Sequence, residues 1–145
     1  MRTKLVLFAA ILFTAFGFAH ARQTKVAQSA DPAPAPIPAA DAAMKNPVKP
    51  TPENLAEAKR LFGYHCAMCH GENGDGKGDL AVSMKLDLKN WQNPASLEKM
   101  TDGELFYIIT NGRGKMTGGE GDRTKPELRW SLVNYVRSFA KKPAD

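Results

Sequence analysis

The sequence predicts an all-α fold of three to five short helices, and two observations support this prediction. Three segments carry apolar residues at helical spacing, together with residues that begin and end helices. No segment alternates apolar and polar residues as a strand would, and no hairpin turn joins two such segments. The stretch 71–100 is rich in loop signals, and loops this long indicate a function or a non-protein group in the core.

The first helix is predicted over residues 52–64. Thr51 is a favourable N-cap, and Pro52 suits the first helical position, where its missing N–H costs no hydrogen bond. Ala58 and Phe62 then lie on one face of the helix and make that face apolar. We therefore expect this helix to pack on the core and to end just before the first cysteine.

The second helix is predicted to follow Thr101. Thr101 and Glu104 fit a capping box, in which each side chain accepts a hydrogen bond from the backbone N–H of the other residue. Asn111 followed by Gly112 is a typical helix end, because both residues tolerate the left-handed backbone that stops a helix.

The third helix is predicted to follow Thr124, which fits a second capping box with Glu127. Lys141 and Lys142 would favour its C-terminal end through the helix dipole. Trp130 is predicted to be half-exposed, because it lies partly away from the apolar face. That face is formed by Leu128, Leu132, Tyr135, Val136 and Phe139.

The N-terminal 21 residues have the pattern of a secretory signal peptide. Arg2 and Lys4 precede an apolar run, and a small-x-small cleavage site ends at Ala21. The apolar run is short for a membrane span. We predict cleavage after Ala21 and export to the periplasm. The alternative is an uncleaved signal that anchors the protein to the membrane.

Residues 22–50 are rich in Ala and Pro and have few large apolar side chains. Such a segment buries too little apolar surface to offset the entropy of ordering it. We predict a disordered, extended linker over 22–50 and a folded domain over 51–145.

The formal net charge of +5 does not indicate a nucleic-acid-binding protein. The predicted domain, 51–145, carries 14 Lys and Arg against 13 Asp and Glu, so the excess lies outside it. Nucleic-acid binding needs a basic patch on a folded face, and no such patch is evident.

The two cysteines of the chain, Cys66 and Cys69, are separated by two residues, and His70 follows directly. This spacing is the signature of c-type haem attachment. Each thiol adds to one haem vinyl group, and the imidazole of His70 coordinates the iron. A disulfide here would close a very short loop and stabilise little. A zinc site needs four ligands, and a redox dithiol needs a βαβ context, neither of which the sequence offers.

Any second axial ligand for the iron would come from elsewhere in the chain, because His65 adjoins Cys66 and cannot reach the opposite face of the haem. Met116 lies in the glycine-rich stretch NGRGKMTGGEGD, which can pass close to a flat ring. Met100 is explained as a hydrophobic staple before an N-cap, and Met84 falls in an irregular loop. We predict Met116 as the ligand. Met84, Met100, a lysine and an open position remain as alternatives.

At these residues the chain resembles class I cytochrome c, over residues 51–142. Cys66, Cys69 and His70 match the haem motif of that family, and Met116 matches its distal ligand. The resemblance implies the class I cytochrome c fold around one covalently bound haem c. It also implies that the first and last helices pack together, with Ala58, Phe62, Leu132 and Tyr135 at the contact.

From these observations we expect an exported electron carrier rather than an enzyme. Six-coordinate iron leaves one-electron exchange as its chemistry, and the near-neutral domain favours transient docking to redox protein partners of a respiratory chain. Three alternatives remain. They are a membrane-tethered cytochrome, a haem subunit of a dehydrogenase or oxidase complex, and a five-coordinate haem protein that reacts with a gas or peroxide.

Overall fold

The computed structural model describes residues 33–116 and 118–140. The predicted signal peptide, its cleavage site and the last five residues lie outside the described residues. Within the described ranges the chain is helical and has no strand, so the all-α prediction is confirmed. The α-helices are α1 Ala39–Ala42, α2 Pro52–His65, α3 Ala67–His70, α4 Asp79–Ser83, α5 Asp102–Asn111 and α6 Pro126–Phe139, with a 3-10 turn at Pro94–Ser96.

The core forms where α2 packs against α6. Ala58 of α2 is fully buried, and Phe62, one turn further on, is 2% exposed. The ring of Phe62 lies 5.4 Å from that of Tyr135 and 5.3 Å from that of Phe139, both in tilted or edge-on arrangements. Burying one such phenylalanine contributes about 1.5–3 kcal/mol. The predicted contact between the first and last helices is therefore present in the structure.

The predicted caps of α2 and α5 are both present. The side chain of Thr51 accepts a hydrogen bond from the backbone N–H of Asn54, and the Asn54 side chain completes a capping box. Thr101 and Glu104 form the same reciprocal pair at α5. No helix among the described residues is long and apolar enough to span a bilayer.

Two expectations about α6 are wrong. Its N-cap is Lys125, because Pro126 takes the first helical position, and the hydroxyl of Thr124 donates to the carbonyl of Glu120 instead. Trp130 is 6% exposed rather than half-exposed. It is covered because its ring stacks on Phe106 of α5, with the ring centroids 3.9 Å apart.

The expectation of an extended linker over 22–50 does not hold for residues 39–50, which we call the N-terminal strap. These residues belong to the compact unit that contains the helices. The Asn46 side chain donates to the Trp130 carbonyl and to Oδ1 of Asn134, and Nδ2 of Asn134 donates to the carbonyl of Val48. The two amide side chains give hydrogen-bond partners to the backbone carbonyls of Trp130 and Val48. These bonds offset part of the entropy that is lost when the strap becomes ordered.

The single turn of α1, within the strap, contacts the start of α5. The hydroxyl of Thr101 donates to the carbonyl of Ala42 at 2.6 Å. Gly103 is buried beside the same segment, and a Cβ at that position would overlap the carbonyl oxygen of Asp41. The close approach of strap and helix therefore requires glycine at position 103.

We expect Gly103→Ala to loosen the strap, because the added methyl group would displace the backbone at Asp41. Trypsin cleavage after Lys45 should become about tenfold faster, which corresponds to ~1.4 kcal/mol of lost strap docking. Gly63→Ala is the matched control, since a Cβ at Gly63 meets nothing within 4 Å. Equal cleavage rates in the two variants would contradict the docked strap.

Candidate cofactor site

The two cysteines and His70 lie on one short helical turn that begins where α2 ends. Cys66 caps the C-terminus of α2 and the N-terminus of α3. The backbone N–H groups of Cys69 and His70 both donate to the carbonyl of Cys66, at 3.1 and 2.9 Å. Both thiols are free and half-buried. One hydrogen-bonded turn thus carries both thiols and the imidazole of His70.

The glycine-rich segment after the motif folds back on α3 and holds it. The N–H of Gly76 donates to the carbonyl of His70 at 2.8 Å, and the N–H of Gly78 donates to the carbonyl of Cys69 at 3.1 Å. A Cβ at Gly78 would overlap the backbone of Met68. The sequence GENGDGKGD therefore serves to wrap closely around the turn.

Cys66, His70 and Met116 line a single apolar cavity. Its walls come from α2, α3, α5, α6 and the loops on either side of α5. An apolar cavity with a thioether and an imidazole in its lining suits a flat, apolar macrocycle that carries iron. The lining residues are Phe62, Cys66, His70, Trp91, Leu97, Met100, Leu105, Ile108, Ile109, Met116, Leu132 and Val136.

The imidazole of His70 has the state that a metal ligand needs. Burial lowers its pKa, which favours the neutral ring. Its ring stacks on Trp91, with the centroids 4.2 Å apart. Nδ1 is buried and has no hydrogen-bond partner among the described residues. A half-buried histidine with one buried, unpaired ring nitrogen fits haem ligation better than a role in packing.

Two of the three candidate methionine ligands line the cavity. Met84 is 56% exposed and does not line the cavity, whereas Met100 and Met116 both do. Met116 closes a tight turn with Arg113, in which the two backbones exchange hydrogen bonds of 2.7 and 3.0 Å. The turn lies in the loop between α5 and α6, as the glycine-rich sequence predicts.

The cysteines do not have the features of a thiolate metal site or a reactive dithiol. Burial, with smaller contributions from Glu120 and Cys69, raises the pKa of the Cys66 thiol to about 12. A reactive cysteine has a lowered pKa instead. Within the described residues no three His, Cys, Asp or Glu side chains group as metal ligands. Cys66 thus does not show the lowered pKa of a reactive dithiol.

Sequence reasoning missed a contact between two polar side chains beside the motif. His65 places its Nδ1 atom 3.0 Å from Oε2 of Glu120, whose side chain is 7% exposed. Arg129, buried at 7% exposure, lies nearby on α6. In the sequence, only the position of acidic Glu120 within a glycine-rich loop indicated such a contact. Its partner, His65, is 55 residues away along the chain.

Comparison with known proteins places these features in a family. The family model for cytochrome c matches residues 55–140. The chain is 33% identical over 79 residues to the cbb3-type cytochrome c oxidase subunit FixP of Azorhizobium caulinodans, a match that covers 54% of this chain. It is 42% identical over 109 residues, 74% of this chain, to the quinohemoprotein alcohol dehydrogenase ADH IIB of Pseudomonas putida.

The matched regions span 25% and 14% of the length of those two relatives. Among solved structures, the KustC0563 c-type cytochrome superposes with a TM-score of 0.50 at 24% identity. This match covers 57% of the present chain and 95% of the other. At this identity the likeness concerns the fold alone, and it agrees with the helical arrangement described above.

We expect the double variant Cys66→Ala, Cys69→Ala to lose the covalent link to haem. The wild-type chain should keep haem on a denaturing gel and exceed its polypeptide mass by one haem, because each sulfur forms a thioether. Met68→Ala, which changes the exposed residue between the cysteines, should behave as wild type. A wild-type chain with unmodified mass and two free thiols would contradict this assignment.

Proposed function

This chain belongs to the cytochrome c family, and on that premise we propose that it carries single electrons between respiratory partners in the periplasm. The family and the Cys-x-x-Cys-His motif imply one covalently bound haem c. When bound, haem c supplies an iron that takes up and releases one electron. The sulfurs of Cys66 and Cys69 would hold the group on the chain, and His70 and Met116 would be its axial ligands.

The observation that carries this proposal is that Cys66, His70 and Met116 line one apolar cavity. With His70 and Met116 both bound to the iron, no coordination position would be left for a substrate. The thioether of Met116 is a weak, soft donor and would raise the reduction potential, as would the apolar lining that excludes water. These properties suit a carrier better than a catalyst.

Exposed apolar side chains support docking to other proteins. They lie near the attachment turn, which we define as residues Cys66 to His70. Met68 lies between the two cysteines and is 56% exposed, and α4 packs beside α3. With a near-neutral domain, we expect weak electrostatic steering and brief contacts with redox partners. The large apolar residues exposed here and nearby in the sequence are Tyr64, Met68, Val82 and Met84.

A haem-bearing subunit or tethered domain of a larger complex is the second candidate. One relative is by name an oxidase subunit and the other a dehydrogenase, and the match covers only a minor part of each. The carrier predicts release into the periplasmic fraction on osmotic shock. Recovery only with the membrane, or only with a dehydrogenase or oxidase, would favour the second candidate.

We expect Met116→Leu to lower the reduction potential by on the order of 0.1 V, a fraction of the range that axial ligands cover. The reduced variant should also bind CO, because the axial position opens. Met100→Leu is the matched control, since Met100 lines the same cavity and the exchange conserves volume.

Visible spectroscopy and potentiometry would measure both effects. If Met100→Leu, and not Met116→Leu, lowers the reduction potential and allows CO to bind, the distal ligand would be Met100. Rapid CO binding by the reduced wild-type protein would contradict six-coordination and favour a gas-reactive or peroxide-reactive haem protein.

A further inference from the structure

The loop that carries Met116 is closed at its base against α5. We call residues 112–125 the Met116 loop. The N–H of Glu120 donates to the carbonyl of Ile109 at 2.6 Å, and the N–H of Gly121 donates to that of Thr110 at 3.0 Å. These bonds use carbonyls of the last turn of α5, which have no partner within the helix. Met116 therefore lies within a closed lobe whose two ends meet at the end of α5.

A buried arginine holds the second half of this loop from α6. The Nη1 atom of Arg129 donates to the carbonyls of Glu120, Gly121 and Thr124, at 3.2, 2.6 and 3.0 Å. Its guanidinium group lies 5.3 Å from the centre of the Phe106 ring. The base of the loop is thus fixed to both helices that flank it.

The carboxylate of Glu120 connects the same loop to the attachment turn. Its Oε2 atom lies 3.0 Å from Nδ1 of His65, and its Oε1 atom lies 3.4 Å from Nη2 of Arg123. A carboxylate can only accept, so Nδ1 of His65 carries the proton. His65 is the last residue of α2 and directly precedes Cys66. The contact therefore joins the segment that bears the distal methionine to the segment that bears the cysteines.

We propose that Glu120 is a positioning residue, which with His65 forms a latch that keeps the Met116 thioether in the axial position against external ligands. This inference rests on the proposed function, in which Met116 binds the iron. The Met116 loop is rich in glycine, so its ordered state is costly in entropy. A thioether is also a weak ligand, so a loop that opens easily would expose the iron. The latch raises the cost of opening, because separation would remove the His65 partner of a buried carboxylate oxygen and leave Arg123 of the same loop as the remaining partner.

The test is an imidazole titration of the oxidised holoprotein at fixed pH, followed by visible absorption. Imidazole must displace Met116, so its apparent affinity reports how easily the loop opens. We expect Glu120→Ala and His65→Ala each to increase that affinity about tenfold, and the double variant to show no further increase. Glu120→Gln keeps an acceptor oxygen for His65 and should restore an affinity near that of wild type.

Two controls separate the latch from charge and from general stability. Glu98→Ala removes the same charge from an exposed side chain. Val133→Ala weakens a fully buried core position that does not line the cavity. Neither control should change imidazole affinity, although Val133→Ala should lower Tm. If Glu120→Ala does not fold, the test uses His65→Ala and Glu120→Gln instead. His65 is half-exposed, so its replacement should be tolerated.

An unchanged imidazole affinity in His65→Ala and Glu120→Ala would overturn the latch, as would an equal increase in Val133→Ala. Met116→Leu separates this outcome from failure of the proposed function. If that variant binds imidazole readily while the latch variants do not, the ligand assignment stands and the latch alone is wrong. If Met116→Leu binds no better than wild type, the ligand assignment and the latch both fall.

Discussion

The placement of two sulfurs and one imidazole on a single helical turn is the constraint on which the rest of this structure depends. Cys66, Cys69 and His70 follow α2 without a break, so the position of the turn is set by the packing of α2 on α6. Every other wall of the cavity must then approach that turn. A core shared with a prosthetic group explains why the segment 71–100 can remain largely loop, since packing against that group replaces packing between helices.

A glycine-rich loop offers close approach to a flat ring, but it offers little rigidity of its own. The structure compensates with side chains that bind backbone groups of the loop. Arg129 engages three carbonyls, and Glu120 reaches the end of α2. The N-terminal strap follows the same logic with uncharged groups, where Asn46 and Asn134 bind each other and the adjacent backbone. In both places, long-range polar contacts order segments whose sequences favour disorder.

The sequence predicts features that depend on neighbouring residues, and it misses features that depend on contacts between distant segments. The caps at Thr51 and Thr101 depend on residues three positions away, and both are found. The cap at Thr124 fails because Pro126 competes for the helix start one residue later. The haem motif is contiguous and so is readable, whereas Glu120 gains its role from His65, far along the chain. Burial of Trp130 likewise depends on α5, which helical periodicity cannot show.

The docked strap also changes what a tethered form of this protein could do. If the chain works as a domain on a tether, only residues before the strap can contribute reach. A Pro-rich segment spans about 3.1 Å per residue, so removing residues 39–50 from the tether shortens it by roughly 37 Å. The strap also crosses α5 and α6 rather than leaving the domain at α2. A tethered domain would then reach only partners held close to its anchor, which suits a subunit of a complex. The function of a released carrier would not depend on the length of the tether.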